Sequence, residues 1–167
     1  KQGISFSSEA FDQAMQEQKA RSKTGSAMKG DVFGAKSLGL KVPASKFIGY
    51  QQDNVETTIL VILKEGQQVV EAVAGESLEI ILEQTSFYPE SGGQVGDTGK
   101  LISVVNIFEV LDTQKIDNVI LHLGKIVSGN LKKGDRIKAQ INVQRRLNIA
   151  RNHTATHILQ SALRQVL

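Results

Sequence analysis

Val69–Thr85 reads VVEAVAGESLEIILEQT, with Leu78, Ile80 and Leu82 at alternate positions. A period of two puts those three side chains on one face of an extended strand. Runs of the same kind flank it: KFIGYQ (46–51), VETTILVILKE (55–65), GKLISVVNIFEVLD (99–112), NVILHLGKIV (118–127) and RIKAQINV (136–143). Glu65-Gly66, Ser91-Gly92-Gly93 and Ser128-Gly129-Asn130 punctuate them. Several short strands separated by turn residues indicate a small antiparallel barrel or sandwich. The expected fold is therefore mainly β: a closed or nearly closed antiparallel β-barrel over residues 46–143.

Outward from this core the periodicity changes. Residues 1–45 predict a helix and a linker belonging to a preceding domain. Ser7 can cap the helix, Glu9 sits in its positive first turn and Phe6 can staple onto Phe11. Ser22–Gly39 is rich in glycine and lysine and has little periodicity, which reads as linker. At the other end, residues 144–167 predict a helix. Ala155, Ile158, Leu159, Ala162, Leu163 and Val166 recur at helical spacing as a core-facing stripe. His153 and His157 fall on the opposite face, beside Arg146, Gln160 and Arg164. No Gly, Asn or Pro stop follows Arg164, so the helix reads as cut off rather than ended.

Composition bounds the chemistry. A chain of 167 residues, 40% hydrophobic, can bury one real core. With no cysteine it forms no disulfide and no thiolate metal site, in keeping with an intracellular, cytoplasmic or organellar, protein. No apolar run is long enough to span a bilayer, so no membrane is expected as a partner. The net charge of +3 permits a polyanionic partner without demanding one.

Two short motifs carry possible chemistry. His153 and His157, one helical turn apart, can both reach one Zn²⁺. On their own they read first as two polar residues on a solvated face, since zinc wants three or four protein ligands. His122, in a strand-like run, and scattered carboxylates are the remaining donors. A metalloprotease helix needs Glu directly after its first His, and here Thr154 stands there. In YPESGGQVGDTG (88–99) the Gly92-Gly93 pair can let a ligand approach the main chain closely, or can simply turn between two strands.

Taken together, SFYPESGGQVGDTG (86–99), a strand-rich stretch and RRLNIARNHTATHILQSALRQVL (145–167) resemble alanyl-tRNA synthetase. The region is the one joining its amino-terminal half to its editing domain. FDQAMQEQKARSK (11–23) resembles the helix preceding that junction, so the full synthetase fits better than the freestanding editing proteins that share the pattern. The resemblance covers nearly the whole chain and implies a translation-factor-like barrel. It also implies a parent enzyme that uses ATP and Mg²⁺ to attach alanine to tRNA(Ala), and that hydrolyses mischarged seryl- or glycyl-tRNA.

Carried over residue by residue, the resemblance makes His153 and His157 the first two zinc ligands, completed by a Cys and a His further along. Glu90, Ser91, Gly92, Gly93 and Gln94 match the glycine-rich loop near the editing site. Arg145, Arg146, Arg151 and Arg164, on or beside the histidine helix, are candidates to contact tRNA phosphate or shape the pocket. Because the chain lacks cysteine, it is expected to be an inactive piece of the enzyme that holds no stoichiometric zinc by itself. The alternative reading is a β-barrel that docks RNA or protein without chemistry.

Overall fold

The computed structural model describes residues 42–166, Gly92 excepted. The expected amino-terminal helix and the linker lie outside the described residues. The strands are β1 (Lys46–Phe47), β2 (Asn54–Lys64), β3 (Gln67–Val69), β4 (Glu71–Val73), β5 (Ser77–Leu82), β6 (Gln84–Thr85), β7 (Gly99–Ile102), β8 (Ile107–Ile116), β9 (Val119–Ser128), β10 (Asn130–Lys132) and β11 (Arg136–Ile141); one helix, α1 (Val143–Val166), follows. Strands β2, β11, β7, β8, β9 and β5 pair in that order, each pairing antiparallel, and β5 pairs back onto β2. The ring closes, so the fold is a barrel and not a sandwich, and closure leaves none of the six with an open edge.

Two runs depart from the strand reading. KFIGYQ contributes only β1, which lies outside the ring, runs parallel to β6 and then breaks into a turn. VVEAVAG splits between the end of β3, a hairpin partner of β2, and β4, which pairs with β10. Glu65 and Gly66 take φ of 52° and 77° in the β2–β3 turn. Two successive positive φ angles match the twist of a tight hairpin.

The apolar runs make sense once the register is followed. Val55, Thr57 and Ile59 of β2 are buried at odd positions. The β2–β5 register then shifts between Ile59 and Val61. Past the shift Ile62 joins the main core, while Val61 and Leu63 join a second cluster with Ile81, Val119 and Leu121. A one-residue slip exchanges the two faces of a strand. That is why ILVIL reads as continuous rather than alternating: both faces of this part of the sheet are covered.

Among the buried polar side chains, His122 carries an imidazole. His122, fully buried on β9, meets the Phe87 ring edge-on at 5.2 Å. Its Nδ1–H donates to the Ile80 carbonyl at 2.9 Å, and its Nε2 accepts from the Thr85 hydroxyl at 2.8 Å. The carbonyl can only accept, which fixes this tautomer. Both nitrogens are thereby used inside the barrel, and His122 is no reserve ligand for the pair on α1.

Burial disfavours the imidazolium and lowers the His122 pKa from 6.5 to about 4, against the opposing pull of the Ile80 carbonyl. The unfolded chain thus takes up a proton between about pH 6.5 and 4 that the folded chain refuses, so stability falls as pH falls through that window. The expected loss approaches tenfold in the folded-to-unfolded ratio per pH unit. Urea unfolding of the native chain and of His122→Gln at matched pH values checks this, since carboxylates common to both cancel. The two stabilities should converge on acidification; curves that stay parallel contradict a neutral buried histidine.

Candidate functional site

Topology brings the two motifs to one end of the barrel. β7 and β11 are antiparallel neighbours with Gly99 opposite Ile141. The loop entering β7 and the helix leaving β11 therefore start side by side. Asn142, the residue between β11 and α1, bonds both ways: its N–H donates to the Thr98 carbonyl at 2.7 Å, and its Oδ1 accepts the Arg145 N–H at 3.0 Å. Asparagine is among the best residues for such an N-cap.

The loop, residues 86–98, is built rather than slack. Ser91 and Gln94 exchange backbone hydrogen bonds of 3.1 and 2.9 Å, closing a tight tip in which Gly93 takes φ 82°. Gly92 lies outside the described residues. The Glu90 N–H donates to the Thr113 carbonyl of β8 at 2.8 Å, and the Thr113 hydroxyl donates to the Asp97 carbonyl at 2.8 Å. A Cβ on Gly96 would overlap the Thr113 carbonyl oxygen, so only glycine lets the loop lie this close to β8. Glu90 and Ser91 remain exposed at the tip.

Asp97 is the centre of this end. It is 4% exposed, and its Oδ2 accepts the Tyr88 N–H at 2.7 Å and the Arg146 Nε–H at 3.0 Å. Arg146 Nη2 also reaches Oδ2, making a two-pronged ion pair. The rest of the guanidinium donates to the Gly49 carbonyl at 2.9 Å and to the Ser86 carbonyl. Arg145 adds a bond from Nη1 to the Gly96 carbonyl at 2.6 Å. The first turn of α1 is thus clamped to the loop, to the Ile48–Gln52 turn and to the chain after β6.

Beyond that turn α1 stands in solvent. None of its residues is buried, and Ile158, Leu159 and Val166 are 65%, 60% and 83% exposed. The expected packing of the Ala155–Val166 stripe is corrected here: the stripe exists, but no described element lies against it. Periodicity reports that a helix has an apolar face and not what covers it. His153 and His157 converge on their own face, with Nε2 atoms 3.0 Å apart and rings edge-to-face at 4.7 Å.

The candidate residues therefore divide. Arg145 and Arg146 fold back onto the barrel, Arg151 bonds to Asn148 Oδ1 at 3.2 Å, and Arg164 lies in the exposed last turn. No hydrogen bond joins Glu90, Ser91, Gly93 or Gln94 to either histidine among the described residues. Nor is any group of three or more His, Cys, Asp or Glu there placed to hold a metal. Asp97 and Asn142 escape sequence reading, because a lone acid in a glycine loop and a lone amide after a strand carry no periodic signal.

Removing one partner of a buried ion pair leaves the other charge uncompensated, at about 3–5 kcal/mol. Arg146→Met is expected to destabilise on that scale, and Asp97→Asn combined with it to cost much less than the sum of the single changes. Arg146→Lys keeps the charge but not the fork, and should recover only part. Denaturant titration of the four-member cycle measures this; additive single effects contradict the clamp.

Residues 1–145 match the family described as tRNA synthetases class II (A). The alanine–tRNA ligase of Chloroflexus aurantiacus is 40% identical over 167 residues, covering 99% of this chain and 19% of the relative. That of a Ruegeria species is 39% identical over 168 residues, and that of Legionella pneumophila 40% over 166, with the same coverage. The chain spans about a fifth of the length of these relatives. No helix among the described residues is long and apolar enough to cross a membrane. With the family match covering the glycine-rich loop and the barrel, the chain belongs to the class II (A) tRNA synthetases.

Proposed function

We propose that this chain is the junction segment of an alanine–tRNA ligase, a cytoplasmic enzyme that joins alanine to tRNA(Ala) with ATP and Mg²⁺ and hydrolyses mischarged Ser- and Gly-tRNA at a second site. The observation that supports it best is the convergence of His153 and His157 on an exposed helix whose root is clamped to a glycine-rich loop. A second, hydrolytic site has a physical reason. A pocket for alanine distinguishes a methyl or hydroxyl difference by only about 1–3 kcal/mol.

The donor set fits a partial zinc site. Two nitrogens sharing one tetrahedral zinc at about 2.0–2.1 Å each stand roughly 3.3 Å apart, close to the 3.0 Å between these imidazoles. When bound, zinc would polarise a water or orient the substrate ester. The chain's own part is to hold two ligands one helical turn apart and to fix the glycine-rich loop to the root of their helix. The Glu90, Ser91 and Gln94 amides already bond within the protein, so the tip offers the Glu90 carboxylate and the Ser91 hydroxyl. A cysteine ligand cannot come from these 167 residues, which contain none. The chain by itself is expected to hold no stoichiometric zinc and to deacylate nothing.

In the intact ligase, His153→Ala or His157→Ala should strip the zinc and cut deacylation of Ser-tRNA(Ala) beyond the 10–100-fold that even outer-shell partners cost. ATP-dependent alanylation should persist. Elemental analysis and the two rates measure this together. Unchanged zinc and deacylation in both variants would favour the alternative, a barrel that docks RNA or protein without chemistry.

A further inference from the structure

Beside the clamp lies an aromatic group that the reading above leaves unused. Phe47 meets Tyr50 edge-on at 5.1 Å and Tyr88 at 5.7 Å, and the two tyrosines are 6.4 Å apart. Tyr50 is 84% exposed, whereas Phe47 and Tyr88 are half-buried and support it. The turn beneath Tyr50 is rigid. The N–H groups of Gln51 and Gln52 donate to the Ile48 carbonyl at 3.0 and 3.3 Å, and the Gly49 carbonyl is held by Arg146. The Ser86 carbonyl and the Phe47 ring fill the space a side chain at residue 49 would need. Phe47 and Tyr88 also line an open groove with Ser91 of the loop tip and Lys115.

A singly exposed apolar side chain is ordinary; Tyr50 differs in being carried on two further aromatic rings and a hydrogen-bonded turn. The frame around Tyr50 says what kind of partner fits. Its neighbours Gln51, Gln52 and Asp53 are polar and exposed, not aliphatic. An exposed π-face in a rim of two amides and one carboxylate suits a nucleobase, which stacks on the ring and presents hydrogen-bonding edges, better than an apolar protein patch. The groove is of mixed charge, with Lys115 beside Glu90 and Asp117, so stacking rather than phosphate attraction is what this surface offers a base.

We propose that Tyr50 is a stacking platform for an unpaired base in the single-stranded 3′ tail of an RNA. The proposal rests on the tRNA-directed reading above and adds the residue that grips the tail. Arg146, which anchors the platform, precedes His153 by seven helical residues, about 10 Å along the axis. The base held at Tyr50 is therefore upstream of the terminal nucleotide whose ester would lie at the histidines.

The test uses the 167-residue chain and a hairpin RNA with a four-nucleotide 3′ tail carrying 2-aminopurine, against the same hairpin made blunt. The native chain should quench the tail's fluorescence and bind the tailed RNA more tightly than the blunt one. Tyr50→Ala should abolish the quenching and weaken binding about 5- to 150-fold, the range for one lost stack. Its salt dependence should be unchanged, because no phosphate contact is lost. Tyr50→Phe should keep the quenching. Circular dichroism should show both variants folded, since Tyr50 is exposed. Native-like quenching by Tyr50→Ala overturns the platform and assigns the aromatic group to a protein contact, while leaving the RNA reading in place. Equal affinity for tailed and blunt RNA does the same, and binding of neither RNA by the native chain overturns both.

Discussion

The ion pair between Asp97 and Arg146 is the constraint on which this end of the barrel depends. Asp97 is nearly fully buried, and its carboxylate gathers a loop amide and the fork of an arginine from the first turn of α1. Arg146 in turn reaches two carbonyls on other segments. Three stretches far apart in sequence, the Ile48–Gln52 turn, the loop and the start of α1, thus share one charged node. Removing Arg146 strands the buried Asp97 carboxylate, whereas Arg146 is only partly buried and also has Asp53 at 3.7 Å; the burial of Asp97 is why the pair outweighs the exposed pairs Lys64–Glu76, Lys125–Glu109 and Lys132–Glu71, screened as those are by water and salt.

That node explains how a helix with no buried residue can still have a defined direction. Its first turn is capped by Asn142 and clamped by Arg145 and Arg146, and the following turns inherit that orientation. His153 and His157 lie about two to three turns from the clamp, on a rod of ~1.5 Å per residue. The loop contributes a rigid tip, because its amides bond to one another and to β8. Arginines read from sequence as candidates for phosphate are, in two of four cases, occupied with this internal work.

The barrel was legible because its evidence is periodic. Leu78, Ile80 and Leu82 alternate, and the turns at Gly66 and Gly129 carry the positive φ that glycine suggests. What periodicity blurred was β2, where a register shift after Ile59 swaps faces in mid-strand and yields a continuous apolar run. The histidine pair was legible from its spacing, which the structure turns into converging nitrogens. Asp97, Asn142 and the Phe47–Tyr50–Tyr88 group were not legible as a site. Each acts through contacts across large sequence separations, and no local pattern encodes those. The Ala155–Val166 stripe shows the opposite error, a true pattern whose partner the pattern does not specify.

The central claim is that the Asp97–Arg146 pair makes the glycine-rich loop and the histidine helix one rigid unit. Because the chain has no native cysteine, spin labels at Ser91→Cys and Asn152→Cys report that geometry directly by double electron–electron resonance. A single narrow distance distribution is expected in the otherwise native chain, broadening markedly when Arg146→Met is added. A broad distribution in the native background, or a narrow one that survives Arg146→Met, contradicts the claim.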